Sequence, residues 1–222
     1  IIGDVGYVLE DLLKIWKSRG GKTRAAEVKT WWTKVNGWRE KKCFSYVQGK
    51  ETIKPQYALE RLEALTKDAD RYITTEVGQH QMWAAQFLGF EDPNRWMTSG
   101  GLGTMGYGLP ASIGVQVAHP DSLVINVAGE ASWIMVMQEM CTAVQYKLPV
   151  KQFILNNERL GMVRQWQELL HGERYSNSYS EALPDFVKLA EAFGCHGIKV
   201  SDPADMDEAI KEMLAYDGPV VM

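Results

Sequence analysis

Several features that would place this chain in other protein classes are scarce or missing. Its three cysteines, Cys43, Cys141 and Cys195, lie far apart without a C-x-x-C pair, and only four histidines accompany them, so no zinc site is expected. Buried thiols in a reducing cytoplasm are the expected state, which predicts a cytoplasmic protein. No apolar run approaches about 18 residues, and Asp4 interrupts the opening segment, so neither a membrane span nor a signal peptide is predicted.

Basic residues are also fewer than acidic ones. The chain has 24 Lys and Arg residues against 28 Asp and Glu, which gives a net charge of −4. Without a basic stripe to neutralise phosphates, nucleic acid is not an expected partner. The length of 222 residues fits one large domain with an appendage, or two small domains. Because the chain opens without Met and stops within an apolar segment, we expect both ends to be cuts in a longer protein.

The first fifty residues differ in pattern from the rest. Apolar residues at helical spacing predict a helix over residues 5–17 and a second over 25–41, and residues 44–54 are expected to be a linker. The second helix is rich in tryptophan (Trp31, Trp32, Trp38), which we expect to form a docking surface for a missing partner. The sequence therefore predicts a helical segment over 1–50 and a separate domain over 51–222.

From residue 55 onward, helical and strand patterns alternate. Predicted helices cover 57–66, 79–87, 105–118, 132–146, 161–170, 183–193 and 206–215. Predicted strands cover 72–75, 123–128, 150–155, 197–200 and 219–222, with a short polar one at 95–98. This alternation predicts an α/β fold of three layers, in which helices cover both faces of a parallel sheet.

Polar side chains follow two of the apolar strands. Gly129-Glu130-Ala131 ends the strand at 123–128, and Asn156-Asn157 ends the strand at 150–155. If a helix connects these strands, the carboxylate and the carboxamide meet at the carboxyl edge of the sheet, where ligands of open α/β folds bind. Both supply hard oxygen donors, which suit a divalent cation that also takes phosphate oxygens.

A turn after the first strand supplies donors for an anion. Val77-Gly78-Gln79-His80 opens a predicted helix, whose N-terminal N–H groups favour negative charge. Gln79 and His80 can each add a hydrogen bond. Together with Glu130 at the same edge, this turn predicts a diphosphate site.

A second interpretation rests on a glycine fingerprint. The segment Gly101-Leu102-Gly103-Thr104-Met105-Gly106 matches G-x-G-x-x-G, and Glu130 follows at the end of the next strand, as in a nicotinamide- or flavin-dependent oxidoreductase. The strand before it is short and polar, and this interpretation leaves Asn156-Asn157 without a role. It stays open as the alternative.

Three co-linear motifs resemble acetolactate synthase, also called acetohydroxyacid synthase. They are the segments WMTSGGLGTMG at 96–106, GQHQMW at 78–83, and LNN at 155–157 followed by GMVRQW at 161–166. The pair Gly129-Glu130-Ala131 and Asn156-Asn157 likewise resembles the Gly-Asp-Gly … Asn-Asn motif of thiamine diphosphate (ThDP) enzymes. The resemblance runs from about residue 55 to the end, and more loosely from residue 1.

The resemblance implies roles for particular residues. The implied cofactor-binding residues are Val77, Gly78, Gln79, His80, Gly103, Met105, Gly129, Glu130, Ala131, Ser132, Asn157, Gly161, Met162 and Val163. Glu130, Asn157 and the Arg159 main-chain carbonyl would ligate Mg²⁺, and Met162 and Trp166 would line the substrate pocket. Core packing is the alternative for the methionines. No catalytic residue is assigned, because the activating Glu of the family lies in an upstream pyrimidine-binding domain.

The implied reaction is a ThDP- and Mg²⁺-dependent carboligation. Pyruvate loses CO₂, and its two-carbon unit joins a second pyruvate or 2-ketobutyrate, giving acetolactate or acetohydroxybutyrate for branched-chain amino-acid synthesis. FAD, a homodimer or higher assembly and a regulatory small subunit belong to the full-length family. Another ThDP-dependent carboligase or decarboxylase remains an alternative. Glu130 stands where most ThDP enzymes have Asp; we expect metal binding to be retained, with Trp133 as part of the adjustment.

Overall fold

Two helices form the first unit of the chain. The computed structural model describes residues 2–222, which form two compact units with their boundary in the chain between Ser45 and Tyr46. The first unit contains α1 (Val5–Ser18) and α2 (Ala25–Arg39), and Asp4 caps α1 by accepting a hydrogen bond from the Gly6 amide at 3.0 Å. In α2, Trp31 and Trp38 form an edge-to-face pair and remain about half exposed. The docking role of these tryptophans stays a prediction.

The second unit is an α/β domain. Its helices are α3 (Pro55–Thr66), α4 (Gln79–Phe87), α5 (Gly108–Ala118), α6 (Glu130–Ile134), α7 (Met140–Gln145), α8 (Gly161–Leu170), α9 (Phe186–Phe193) and α10 (Met206–Ala215). Its strands are β1 (Arg71–Thr75), β2 (Trp96–Met97), β3 (Leu123–Gly129), β4 (Lys151–Leu155), β5 (His196–Gly197) and β6 (Val220–Val221). Two 3₁₀ turns, Met137–Glu139 and Pro203–Asp205, precede α7 and α10.

The six strands form one parallel sheet in the order β2-β1-β3-β4-β6-β5. Successive residues of a strand point to opposite faces. On β3, Val127 accordingly joins the core cluster under α3, α4 and α10, whereas Ala128 joins the cluster under α5, α6, α7 and α9. Helices therefore cover both faces, which confirms the predicted three-layer α/β/α fold.

A chain of buried polar groups crosses the sheet beneath α5. Asn126 Nδ2 donates to Gln152 Oε1 at 2.8 Å, and the same oxygen accepts from the Trp133 indole N–H at 3.2 Å. Trp133, a residue of α6, is fully buried in the core and packs beside Phe186 of α9, with 6.0 Å between ring centroids. The expectation that Trp133 is part of an adjustment of the metal site stays a prediction; its ring packs in the core, and its indole N–H is held by Gln152.

Two predicted helices differ from the structure in continuity or start. The predicted helix over 132–146 is broken into α6 and α7, because Val136 adopts φ −134° and ψ 15°, outside the helical region. The predicted helix over 105–118 begins only at Gly108, because Gly106 has a φ of +87°. Pro110 then falls in the first turn of α5, where its missing N–H is not needed.

Other helices and strands begin or end a few residues away from their predicted boundaries. Helix α9 begins at Phe186 rather than residue 183, because Pro184 disfavours a helical residue before it and Asp185 caps the helix through the Val187 amide at 3.1 Å. The strands expected at 197–200 and 219–222 are reduced to two residues each. Among residues 2–222, no helix has the length and apolar character needed to cross a membrane.

Candidate functional site

The carboxyl ends of β1, β3 and β4 surround one cavity of about 270 Å³. These strands are parallel neighbours, and the register pairs Gly129 of β3 with Leu155 of β4, so the turns that follow each strand meet at one edge. The cavity is lined by every residue that the sequence implicates: Val77, Gly78, Gln79, His80, Gly103, Met105, Gly129, Glu130, Ala131, Ser132, Asn157, Arg159, Gly161, Met162, Val163 and Trp166. Their roles stay predictions, but the geometry brings them all together.

The proposed metal ligands lie on two facing turns. One Glu130 carboxylate oxygen accepts from the Arg159 amide at 2.9 Å, and the other accepts from the Asn157 amide at 3.4 Å. The Asn157 side-chain oxygen accepts from the same Arg159 amide at 3.1 Å. A carboxylate and a carboxamide oxygen thus converge on one nitrogen, as two neighbouring ligands of a small cation would.

Burial sets the electrostatics of this turn. Glu130 is almost completely buried, and desolvation raises the pKa of its carboxyl group, while main-chain N–H groups oppose the shift. A bound cation would stabilise the ionised form. Within residues 2–222, no cluster of three or more His, Cys, Asp or Glu side chains can hold a metal ion. The donor set available here is instead one carboxylate, one amide oxygen and main-chain oxygens, which are hard ligands that suit Mg²⁺.

His80 leaves a polar atom unsatisfied in the cavity wall. Its Nε2 is buried and has no hydrogen-bond partner among the described residues. Burial lowers the pKa of the His80 imidazole to about 4, although a hydrogen bond with the Glu76 main chain acts in the opposite direction. A buried polar atom without a partner costs free energy unless a ligand or water satisfies it. A polar ligand or an ordered water in the cavity can satisfy this atom.

The first residues of α4 and α8 close one side of the cavity. Gln79 Nε2 donates to Gln165 Oε1 at 3.1 Å. At Gly161 a Cβ atom would lie only 2.1 Å from Gln79 Oε1, so a larger residue there would require the Gln79 side chain to move. The predicted residues Gln79 and Gly161 therefore depend on each other.

Met105 stands in a turn between two glycines of positive φ. Gly103 has a φ of +66° and Gly106 of +87°, and a Cβ at Gly106 would lie 2.7 Å from a Val136 methyl group. The Gly106 amide donates to the Glu76 carboxylate at 2.7 Å. The side chain of Met105 lines the cavity, as a wedge beneath a bound cofactor would.

Helix α8 presents an apolar face beside the cavity. None of its residues is buried, and Val163 and Trp166 are 46% and 53% exposed. Because both also line the cavity, their exposed surfaces can contact a bound small molecule.

Sequence reasoning missed several residues at this site. Trp83, Leu155 and Leu160 also line the cavity. Glu76 does not line it, but its buried carboxylate accepts from Gly106, Leu109 and Ser132, so it holds the turns that do. An acidic residue placed directly after a predicted strand was a visible signal for this role.

A larger cavity of about 600 Å³ adjoins the site and shares Trp83, Leu155 and Asn157 with it. It extends along the ends of β4, β5 and β6 toward Leu183 and Met206 and contains none of the glycine turns. The smaller cavity is the better candidate, because it alone combines the Glu130 turn with the unsatisfied His80 nitrogen.

A parallel sheet with these turns at its carboxyl edge has the architecture of a diphosphate-cofactor-binding domain. Residues 76–222 match the family described as thiamine pyrophosphate enzyme, C-terminal TPP binding domain, and the chain belongs to that family. Thiamine pyrophosphate is another name for ThDP, so the resemblance inferred from the motifs is confirmed at this level.

Similar curated proteins are acetolactate synthase large subunits. The chain is 46% identical over 214 residues to the isozyme 3 large subunit of Escherichia coli (strain K12), covering 96% of this chain and 37% of that protein. It is 42% identical over 221 residues to the large subunit of Haemophilus influenzae (strain ATCC 51907 / DSM 11121 / KW20 / Rd), covering 100% of this chain and 38% of that protein. The large subunit of Porphyra purpurea is 46% identical over 223 residues, again with 100% and 37% coverage. The chain thus spans less than two fifths of the length of these relatives.

Proposed function

We propose that this chain forms the ThDP-binding part of an acetolactate synthase large subunit. The observation that carries the proposal is the convergence of all the implicated turns on one cavity, which contains both the Glu130 carboxylate and the unsatisfied His80 nitrogen. The similarity to acetolactate synthases over the whole chain narrows the reaction within the ThDP enzymes.

The diphosphate and Mg²⁺ would be held between three turns. Glu130, the Asn157 side-chain oxygen and the Arg159 carbonyl would ligate the cation, and Gln79, His80 and the main-chain N–H groups of Ala131 and Ser132 would hold the diphosphate. The cation supplies the positive charge, because Arg159 is the only Lys or Arg that lines this cavity and its guanidinium stacks on Tyr179, 4.5 Å from the ring centre. Mg²⁺ commonly bridges a few protein oxygens and phosphate oxygens in this way.

The remaining lining residues would shape the reaction space. When bound, ThDP supplies the electron sink for decarboxylation of a 2-keto acid, while the protein supplies position and electrostatics. Met105 would support the cofactor from the turn at 103–106. Met162, Val163 and Trp166 would exclude water from the reacting atoms and contact the alkyl group of the substrate.

The proposal includes features of the whole enzyme. Pyruvate would be decarboxylated and its two-carbon unit joined to a second pyruvate or to 2-ketobutyrate, in branched-chain amino-acid synthesis. FAD would bind outside this chain, and a homodimer or larger assembly with a regulatory small subunit would complete the site in the cytoplasm. Another ThDP-dependent 2-keto acid carboligase or decarboxylase is the second candidate, because it would use the same cofactor turns.

The oxidoreductase alternative has little geometric support. A dinucleotide pyrophosphate would need the N-terminus of α5, which follows the glycine fingerprint. The Glu76 carboxylate already accepts from the Leu109 amide there at 2.9 Å, and it is fully buried. The Glu76 side chain thus already occupies the donor at that helix end that a second anion would need.

The test is an assay for acetolactate. This chain would be joined to the rest of a large subunit, and the resulting full-length enzyme incubated with pyruvate, ThDP, Mg²⁺ and FAD. We expect acetolactate formation that requires both ThDP and Mg²⁺. Decarboxylation that releases only free aldehyde would favour the second candidate, and binding of NADH without ThDP binding would overturn the proposal.

A further inference from the structure

Glu76 carries a carboxylate into a fully buried position directly after β1. Its main-chain amide continues the sheet by donating to the Val127 carbonyl at 3.1 Å. An ionised carboxylate is expensive to bury unless donors satisfy its oxygens. The hydrogen bonds that the Glu76 carboxylate accepts are therefore expected to offset the cost of its burial and to have a structural role.

Its three side-chain hydrogen bonds reach two different segments. One carboxylate oxygen accepts from the Leu109 amide at 2.9 Å, and the other accepts from the Gly106 amide at 2.7 Å and from the Ser132 hydroxyl at 2.8 Å. Leu109 lies in the first turn of α5, a helix whose own N-cap residue offers no side-chain hydrogen bond. Glu76 thus supplies from another strand the cap that α5 lacks.

The same carboxylate restrains the turn that carries Met105. Gly103 and Gly106 flank that turn with positive φ values, and the Gly106 amide is adjacent to Met105 in sequence. Because Met105 and Gly106 share a peptide bond, the hydrogen bond that holds the Gly106 amide also restrains the main chain of Met105. Since the Glu76 side chain does not line the cavity, it acts through Met105 and Ser132 and not on a bound molecule.

The network also defines what the Ser132 side chain can do. A hydroxyl group has one proton. Ser132 donates it to Glu76, and its oxygen also accepts from the Gly106 amide at 3.2 Å. The Ser132 hydroxyl is thereby committed to the turn, which leaves only its main-chain N–H for a diphosphate.

We propose that Glu76 is a positioning residue that locks the Met105 turn against Ser132 and so determines how tightly the diphosphate cofactor is held. This inference rests on the proposed function, because it names a residue that organises the same site. The chain offers a matched control in Glu63, a second carboxylate that accepts from a loop amide, Gly89 at 3.2 Å, and from Arg71. Glu63 lies outside the cavity.

The first readout needs no cofactor. In Glu76→Gln, the amide NH₂ replaces one acceptor oxygen, so at least one of the Gly106 and Leu109 amides loses its partner. We expect hydrogen exchange at these amides to be at least about tenfold faster than in the parent chain, with Gly89 unchanged. In Glu63→Gln, hydrogen exchange should become faster at Gly89 and stay unchanged at Gly106 and Leu109. Unchanged protection at both Gly106 and Leu109 would overturn the inference.

The second readout is the ThDP dissociation constant of the full-length enzyme in the presence of Mg²⁺. Loss of a residue that orients ligand-binding groups typically costs about 10- to 100-fold in affinity or activity. We expect a rise of about tenfold or more in Glu76→Gln and less than twofold in Glu63→Gln. If Glu76→Gln does not fold, Glu76→Asp carries the same test, because it keeps the charge but withdraws the carboxylate by one methylene.

A double-mutant cycle separates positioning from general stability. In the positioning account, Glu76→Gln should affect ThDP binding less once Met105→Ala has removed the wedge, so the two changes are not additive. Additive effects, or an unchanged dissociation constant in Glu76→Gln, would overturn the inference alone. Absence of ThDP binding in the parent enzyme would instead refute the proposed function.

Discussion

The Glu130 carboxylate and the Arg159 main-chain amide lie 2.9 Å apart across the edge between β3 and β4. This contact places the carboxylate beside Asn157, although Glu130 is one methylene longer than the Asp found in most ThDP enzymes. The Glu130 side chain therefore reaches the second turn, while Trp133 lies in the core with its indole N–H on Gln152.

The first prediction follows from that contact. Glu130→Gln keeps the shape of the side chain but removes the charge that would bind Mg²⁺. We expect Mg²⁺-dependent ThDP affinity of the full-length enzyme to fall about tenfold or more, while Glu130→Asp retains measurable binding. Glu158→Gln, which removes an exposed carboxylate on the neighbouring turn, is the control and should have little effect. Tight binding in Glu130→Gln would remove Glu130 from the ligand set.

The second prediction concerns pH and His80. The pKa of this buried imidazole is lowered to about 4 from an ordinary value of 6.5, so the folded chain resists protonation. Stability is therefore complete above about pH 6.5 and falls as the pH decreases toward 4, with a loss of about 2 kcal/mol at pH 5 from this group. Urea unfolding of the parent chain and of His80→Gln at pH 7 and 5 would measure the difference.

The stability of His80→Gln should lack the loss of about 2 kcal/mol that His80 causes between pH 7 and pH 5. The control is His119→Gln, which removes an exposed ring stacked on Tyr72, 4.4 Å between centroids, and should keep it. If His80→Gln and the parent show the same change between pH 7 and 5, the buried neutral state of His80 is refuted.

The third prediction compares two helical glycines. In Gly161→Ala, the new methyl group would lie 2.1 Å from Gln79 Oε1, so the Gln79 side chain or α8 must move. Because that oxygen is the end of a flexible side chain, we expect a destabilisation at the low end of the range for overpacked positions, about 1 kcal/mol. Gly114→Ala in α5, where a Cβ has no neighbour within 4 Å, should instead stabilise by up to about 1 kcal/mol. Equal changes in unfolding free energy would show that the approach of α4 and α8 is not tight.

The fourth prediction concerns substrate choice. The half-exposed indole of Trp166 lines the cavity and can contact the extra methylene of 2-ketobutyrate. One methylene is worth about 1–3 kcal/mol of discrimination, so Trp166→Leu should lower the preference for 2-ketobutyrate over pyruvate by about tenfold. The ratio of acetohydroxybutyrate to acetolactate in a competition assay measures this. Leu169→Ala, on the same helix but outside the cavity, should leave the ratio unchanged, and an unchanged ratio in Trp166→Leu would exclude Trp166 from substrate contact.

Local sequence patterns predicted most of the fold and of the cavity wall. The apolar periodicity of β3 and β4 placed Glu130 and Asn157 at one edge, because parallel strands bring their carboxyl ends together. The same patterns failed where a tertiary contact decides the conformation. Val136 leaves the helical region beside Gly106, which no helical periodicity reveals, and this breaks the helix expected at 132–146.

Residues that act through others were the hardest to predict. Glu76 has no motif of its own, and its importance depends on the meeting of β1, the Gly106 turn and Ser132, which are 26 to 56 residues apart in sequence. The hydrogen bond of Trp133 could not be predicted for the same reason, since only the fold shows that Gln152 is within reach of its indole.

Calorimetric titration of this chain with ThDP, with and without Mg²⁺, tests the central claim most directly. The account predicts weak binding that appears only with Mg²⁺ and is lost in Glu130→Gln. It also predicts no acetolactate formation, since the resemblance to acetolactate synthase implies an activating Glu in an upstream domain. Binding that is independent of Mg²⁺, binding that survives in Glu130→Gln, or turnover of pyruvate by the chain alone would contradict it.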